Sequence, residues 1–393
     1  MKLSSPIRTT LRWMPSYLWQ RAVRRIPKGT IHLVIAVADH FEPSAMPGWG
    51  GKPKASRDEQ ERRLEHWCRE YPGSVDAWRD AEGYPFRHTY FYPAEQYDQA
   101  LIERLAEHCH QGWGEIEIHL HHGVDAPDTS ENTRRVLVEF RDLLAAQGCL
   151  SRWNGVGPAR YAFVHGNWAL ANSAKGWGCG VDDEMQILSE TGCYADLTLP
   201  SAPHISQIAK INSLYECGLP LDQRAPHRRG NDLRRGRQPA VFPLIIQGPL
   251  VVDWKRRKGG RLSPSFDSSQ IGGRCPATLE RLRLWQRAGI MVGGQPNWIF
   301  IKLHCHGMDP PDEEALLGAS HRRFLRDLFE SAAEGRFVPH FVTAREMTNI
   351  ALAACDGRDG NPGDFRDYRL QVIGKAASFE SSASCEDSAR ANR

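Results

Sequence analysis

Two short stretches of the 393-residue chain place histidines two residues apart: His119-Leu120-His121, followed directly by His122, and His304-Cys305-His306. Each closes an apolar run of strand character, Glu115 to Leu120 and Trp298 to His304. Alternate side chains of a strand share a face. Glu115, Glu117, His119 and His121 therefore lie on one side of their strand, and Ile116, Ile118 and Leu120 on the other. In the later strand, Lys302, His304 and His306 oppose Ile301, Leu303 and Cys305. The apolar faces call for helices, so the histidines point into the body of the fold. Imidazoles gathered at strand ends beside a carboxylate suit zinc or another divalent transition metal, which lowers the pKa of a water in its open position. Asp39 closes an earlier strand, Ile31 to Ala38, and is the carboxylate expected at the same mouth. His40 and Glu42 are expected as partners that orient the ligands. His165 follows a further strand, Tyr161 to Val164, and is expected at the site; Asp196, inside the strand Tyr194 to Leu199, reads equally well as a buried structural acid.

The elements between these strands read as helices. Arg57 to Tyr71, Glu95 to His110, Thr129 to Gln147, Asp182 to Glu190, Ala277 to Ala288, His321 to Glu334 and Ala344 to Ala354 carry helical periodicity, with Thr129 or Ser130 as a cap and Gly148 as a stop. Another strand is expected over Arg87 to Tyr92, and Val241 to Val252 is one strand or a hairpin around Gly248-Pro249. Strands alternating with helices over residues 29–355 predict a parallel sheet with helices outside. No glycine-rich phosphate fingerprint follows the first strand, which favours a barrel over an open doubly wound sheet. Active sites of such barrels sit at the C-terminal ends of the strands. Residues 218–240 read as an irregular basic insertion, residues 47–54 as a Gly/Pro-rich loop, and residues 356–393 as a polar tail, disordered from 375 onward.

The formal net charge is only +3, which argues neither for nor against a nucleic-acid partner, and none is expected. Basic residues are nonetheless clustered. Residues 1–28 hold Lys2, Arg8, Arg12, Arg21, Arg24, Arg25 and Lys28 and no acid, interleaved with Trp13, Tyr17 and Trp19. Such an arm can lie on an anionic membrane surface or pack on the outside of the fold. Ten cysteines without a CxxC pair fit reduced thiols in a cytoplasmic protein better than a disulfide framework. A cytoplasmic location, at most peripheral to the inner membrane face, follows as the expectation.

The order of these pieces resembles the polysaccharide deacetylase superfamily, carbohydrate esterases with a distorted (β/α)7 barrel. The resemblance runs over about residues 30–307. Asp39-His40 stands where that family has an Asp pair, and His88-Thr89-Tyr90-Phe91-Tyr92 where it has Ala-Thr-Phe-Phe. Glu117-Ile118-His119-Leu120-His121 is similar to its Glu-Ile-x-x-His motif, with Asp125 where a second histidine would follow; alternatively Glu115-Ile116-Glu117-Ile118-His119 is the match, with Gly123 at that place. Phe163-Val164-His165-Gly166 stands in place of its Arg-x-Pro-x-Gly loop, and Ile301-Lys302-Leu303-His304 resembles its last motif. The resemblance implies metal-assisted deacetylation of a glycan. Asp39, His119, His121 and Asp125 become the candidate metal ligands, with zinc as the metal. His40, His165, His304 and His306 become the candidate catalytic residues, His304 or His306 as the acid. A carbohydrate or glycolipid substrate is implied. Alternatives on the same barrel are an amidohydrolase-like or glycoside-cleaving metalloenzyme, or a non-catalytic glycan-binding protein.

Overall fold

The computed structural model describes residues 5–46 and 54–374. The expected loop at 47–54 (apart from Lys54), the first four residues of the arm and the expected disorder of 375–393 lie outside the described residues.

Twelve strands form one sheet: β1 (Ile31–His40), β2 (His88–Pro93), β3 (Gly114–Leu120), β4 (Ser151–Trp153), β5 (Val156–His165), β6 (Cys193–Asp196), β7 (Leu214–Cys217), β8 (Gly230–Asp232), β9 (Leu244–Ile246), β10 (Trp298–Cys305), β11 (Phe337–Val342) and β12 (Leu370–Val372). The spatial order β10-β1-β2-β3-β5-β6-β9 is parallel throughout, and β7 and β8 continue it antiparallel. β1 is the hub. Its Val/Ile-rich residues are buried on both faces, as a strand covered on both sides must be. β10 runs along one edge of it; β11 and then β2 share the other. The protein is therefore an α/β fold with a large, mostly parallel sheet. Among the described residues no ladder joins β9 to β10. β10 instead touches the segments that follow β6 and β9: Lys302 Nζ donates to Leu197 O at 2.8 Å, and a Cβ on Gly248 would meet Lys302 O.

Helices α1 (Ser5–Val23), α2 (Arg57–Val75), α3 (Gln99–His108), α4 (Ser130–Ala146), α5 (Glu184–Thr191), α6 (Leu279–Arg287), α7 (Glu313–Leu316), α8 (Ala319–Ala333) and α9 (Ala344–Cys355) connect the strands. Caps set their starts. Thr129 accepts from Asn132 N at the head of α4, and Thr343 and Glu346 form a reciprocal capping box on α9. All residues of α9 are buried. Its polar groups are satisfied in pairs: Arg345 with Glu115 at 2.7 Å, and Glu346 with Arg87 at 2.6 Å.

Two expectations are corrected. Residues 356–374 are not part of a loose tail. β12 pairs antiparallel with β4, and Arg366 donates to Asp80 at 2.6 Å and Glu82 at 2.9 Å, ion pairs that fasten this segment across the fold. The insertion at 218–240 is built in as well: it contributes β8, and Pro226 and His227 are buried. As for the arm, α1 packs Trp13 and Tyr17 fully into the core, Trp13 edge-on to Phe266, while Leu11, Leu18, Trp19 and Val23 stay exposed.

Candidate metal centre at the strand ends

The inward face of β3 carries Glu117 and His119, and His121 follows just past the strand's end. His119 Nδ1 lies 2.8 Å from Val164 O on β5. That carbonyl can only accept, so Nδ1 carries a proton and Nε2 is the nitrogen turned toward the mouth. His121 is held in the same sense: Nδ1 lies 2.6 Å from Glu95 Oε1, and Glu95 Oε2 accepts from the His121 backbone N–H. Both Nε2 atoms then face one carboxylate oxygen, Glu42 Oε1, at 3.3 Å from His119 and 3.7 Å from His121. A ligand imidazole whose other nitrogen is bound to a carbonyl or carboxylate is the usual pattern of a protein metal site.

His40 and His306 complete the cluster. The His40 ring lies 4.8 Å from that of His119 and 4.9 Å from that of His306, and Glu42, His40 and His306 offer donor atoms to a common point. His304 is a step further off, 6.4 Å ring to ring from His40. Burial, reinforced by the neighbouring imidazoles and Lys302, holds His40 far below the usual histidine range. Burial does the same to His304 and, against the pull of Glu42 and Asp39, lowers His306. Burial alone would raise the Glu42 carboxyl, but its bond to His119 and the field of His121 outweigh that and keep it ionised. Glu42 is thus a carboxylate near neutral pH and His40, His304 and His306 are neutral imidazoles, whereas Glu95 and Glu42 outweigh burial at His121 and raise it, so a metal ion bound there would displace its proton. Beneath the cluster, burial brings Lys302 down to about 7 and Asp196 up to about 7.

The other candidates lie elsewhere. Asp39 is fully buried on the opposite face of β1. Its Oδ2 lies 2.8 Å from His88 Nδ1 and its Oδ1 accepts from Gly307 N at 2.7 Å, with Cys305 alongside. It does not meet His119 or His121, because it sits one residue out of phase with His40. Asp125 is exposed in the loop after β3 and belongs to none of the clusters of potential ligands among the described residues. His165 leaves the mouth for a second group. Its Nε2 lies 3.1 Å from His122 Nε2, beside Glu184 and Cys179. There Asp128, Cys179 and Glu184 overcome burial to push His122 up to about 12, and Glu184 is held down to about 2. Glu95, Asp128, Cys179 and Glu184 were not legible as site residues. Glu42 was within reach: alternation applied to β1 and its extension puts residues 40 and 42 together and 39 and 41 on the other side.

A cavity of about 320 Å³ opens beside His121, lined by Glu95, Tyr97, His122 and Phe140 among others. A larger one, about 570 Å³, lies at the opposite strand ends against Glu115, Glu117 and Arg345. Its charged groups already satisfy one another: Arg345 holds Glu115, and Glu117 is bonded to Tyr194 and Ala162 N. The smaller cavity reaches His121 and His122 but is not lined by Glu42, His119, His40 or His306. No protein-family model matches the chain, and no curated protein matches it.

Proposed function

We propose that this protein is a metal-dependent hydrolase that removes an acetyl group from a sugar or glycolipid, on a sheet curled toward a (β/α)7 barrel. One observation carries the reading: His119 and His121, each anchored through Nδ1, aim Nε2 at the single carboxylate of Glu42 at the strand ends. His119, His121 and Glu42 would hold the ion, zinc by the nature of the donors. Such an ion supplies a Lewis acid that activates water and polarises an acyl carbonyl. His40 and His306 stand beside Glu42 and would be the groups placed to take up a proton from water and return it to the leaving amine or alcohol. Glu95 fixes the ring of His121. Trp177, half exposed, and Trp168 flank His204 at 5.2 and 5.4 Å in the loop after β5, a platform on which a sugar ring can stack.

The exposed Leu11, Leu18, Trp19 and Val23 of α1, beside exposed Arg21 and Arg25, fit contact with an anionic lipid surface and so a lipid-linked sugar substrate in the cytoplasm. No helix among the described residues is long and apolar enough to cross a membrane.

The test is acetate release from N- and O-acetylated amino sugars by zinc-loaded protein. Wild type should release acetate and lose the activity on chelation, and Glu42→Gln should be inactive. A zinc-loaded wild type that releases no acetate from any acetylated sugar rejects deacetylation.

A further inference from the structure

His122, His165, Cys179 and Glu184 come from four separate places: the ends of β3 and β5, the loop between β5 and α5, and the first residue of α5. All four are buried, and their donor atoms converge. His122 Nε2 lies 2.9 Å from Glu184 Oε1 and 3.1 Å from His165 Nε2, and His165 Nε2 lies 3.6 Å from Glu184 Oε1. A tetrahedral zinc with bonds of about 2.0–2.1 Å to nitrogen and oxygen spaces those ligands about 3.3 Å apart, and a sulfur ligand about 3.6 Å from its neighbours. Cys179 Sγ lies on the other side of the same carboxylate, 3.6 Å from Glu184 Oε2.

The surroundings are those of held ligands. His122 Nδ1 is bonded to Asp128 at 2.9 Å, which turns Nε2 inward. Cys179 Sγ accepts backbone N–H groups from Asn172 at 3.3 Å and Val181 at 3.4 Å, the contacts that stabilise a thiolate. Glu184 Oε2 accepts from Ala171 N at 2.5 Å. One contact runs the other way: Asn167 N–H points at His165 Nδ1 over 3.2 Å, which favours the proton on Nε2 in the metal-free protein. It is a weak bond that metal binding must displace.

The loop needs such a clamp. Trp168, Ala171, Asn172 and Lys175 all hold left-handed backbone conformations, each costing on the order of 1 kcal/mol or more. Gly123 and Gly180 let the loops before α4 and α5 dovetail, since a Cβ on either would collide with the facing backbone.

We propose that His122, His165, Cys179 and Glu184 bind a second divalent ion, zinc by preference, in a closed structural site that pins the β5–α5 loop to β3. With four protein ligands no position is left for substrate. Ligation releases the Cys179 thiol proton and the Nε2 proton that His122 shares with Glu184, and shifts the His165 proton from Nε2 to Nδ1.

Cobalt separates this site from the one at the mouth, because only this one offers sulfur. Full-length protein is stripped of metal, reloaded with Co(II), and read by absorption and by metal content. Wild type should bind two ions per chain and show thiolate-to-cobalt charge-transfer absorption. Cys179→Ser should lose that band and one ion, while Glu42→Gln should lose one ion and keep the band. Cys305→Ser, altering the other buried thiol near a histidine, should change neither. The wild-type spectrum decides even if a variant fails to fold: a cobalt-loaded wild type with no thiolate band overturns the site, and so does a Cys179→Ser protein that keeps both ions and the band. Failure of the mouth site alone would leave one ion with the band intact.

Discussion

Glu95→Gln isolates the orientation of His121. Glu95 sits in the turn after β2 and spends both carboxylate oxygens on one residue, Oε1 at 2.6 Å from the ring Nδ1 and Oε2 at 3.2 Å from the backbone N. Glutamine keeps the shape but has one accepting oxygen for two donors, and it lacks the charge that favours the Nδ1 proton. Burial opposes protonation of His121, while Glu95 and Glu42 raise it, so the variant also lowers that imidazole's affinity for its proton. Losing such a partner costs roughly 10–100-fold in metal affinity, or about 1.4–2.7 kcal/mol. The side chain is about three-tenths exposed, so global stability should change little. Competition with a chromogenic chelator gives the zinc affinity of the site, and thermal unfolding of the apo-protein checks the fold. An affinity within twofold of wild type in a folded variant would mean that His121 does not bind through Nε2, and would refute the reasoning.

Asp39→Asn should leave metal content unchanged but cost about 1–3 kcal/mol of stability in urea, because a buried bond to His88 is weakened; loss of the metal would return Asp39 to the ligand set. Arg345→Ala leaves Glu115 without its buried partner and should destabilise by about 3–5 kcal/mol in the same assay; a change below 1 kcal/mol would contradict the pairing. His321 is buried against Phe86 at 5.1 Å, neither ring nitrogen has a hydrogen bond, and burial lowers it to about 3. Between its unfolded pKa of about 6.5 and about 3 the unfolded chain takes up a proton that the folded chain refuses, so stability falls with pH by about 1.4 kcal/mol per unit for this residue. His321→Leu should remove that slope and gain about 2.7 kcal/mol on wild type between pH 6.5 and 4.5; parallel pH profiles for the two proteins would show that His321 is not kept neutral.

The alternation in Glu115–His121 was enough to read which residues of β3 face inward, because its two faces differ sharply in polarity. β1 offers no such contrast. Leu33, Ile35 and Val37 on one side and Val34, Ala36 and Ala38 on the other are all buried, so nothing local showed that His40 rather than Asp39 faces the mouth. The second cluster was invisible for another reason. His122 and Cys179 come from loops that meet only because Gly123 and Gly180 allow a close approach. The ordered stretch after Asp356 depends on Arg366 reaching acids 286 and 284 residues earlier, a pairing that composition cannot reveal. A mostly parallel sheet was readable from the alternation of elements, whereas the contacts of β10 with the segments after β6 and β9, made by Lys302 and Gly248, were not.

A crystal structure of zinc-loaded protein, with anomalous data collected on both sides of the zinc absorption edge, tests the central claim most directly. The expected result is an anomalous peak at the strand ends, within bonding distance of His119 Nε2, His121 Nε2 and Glu42. Fully loaded crystals with no peak there, or with one at Asp39, His88 and Cys305 instead, would contradict it.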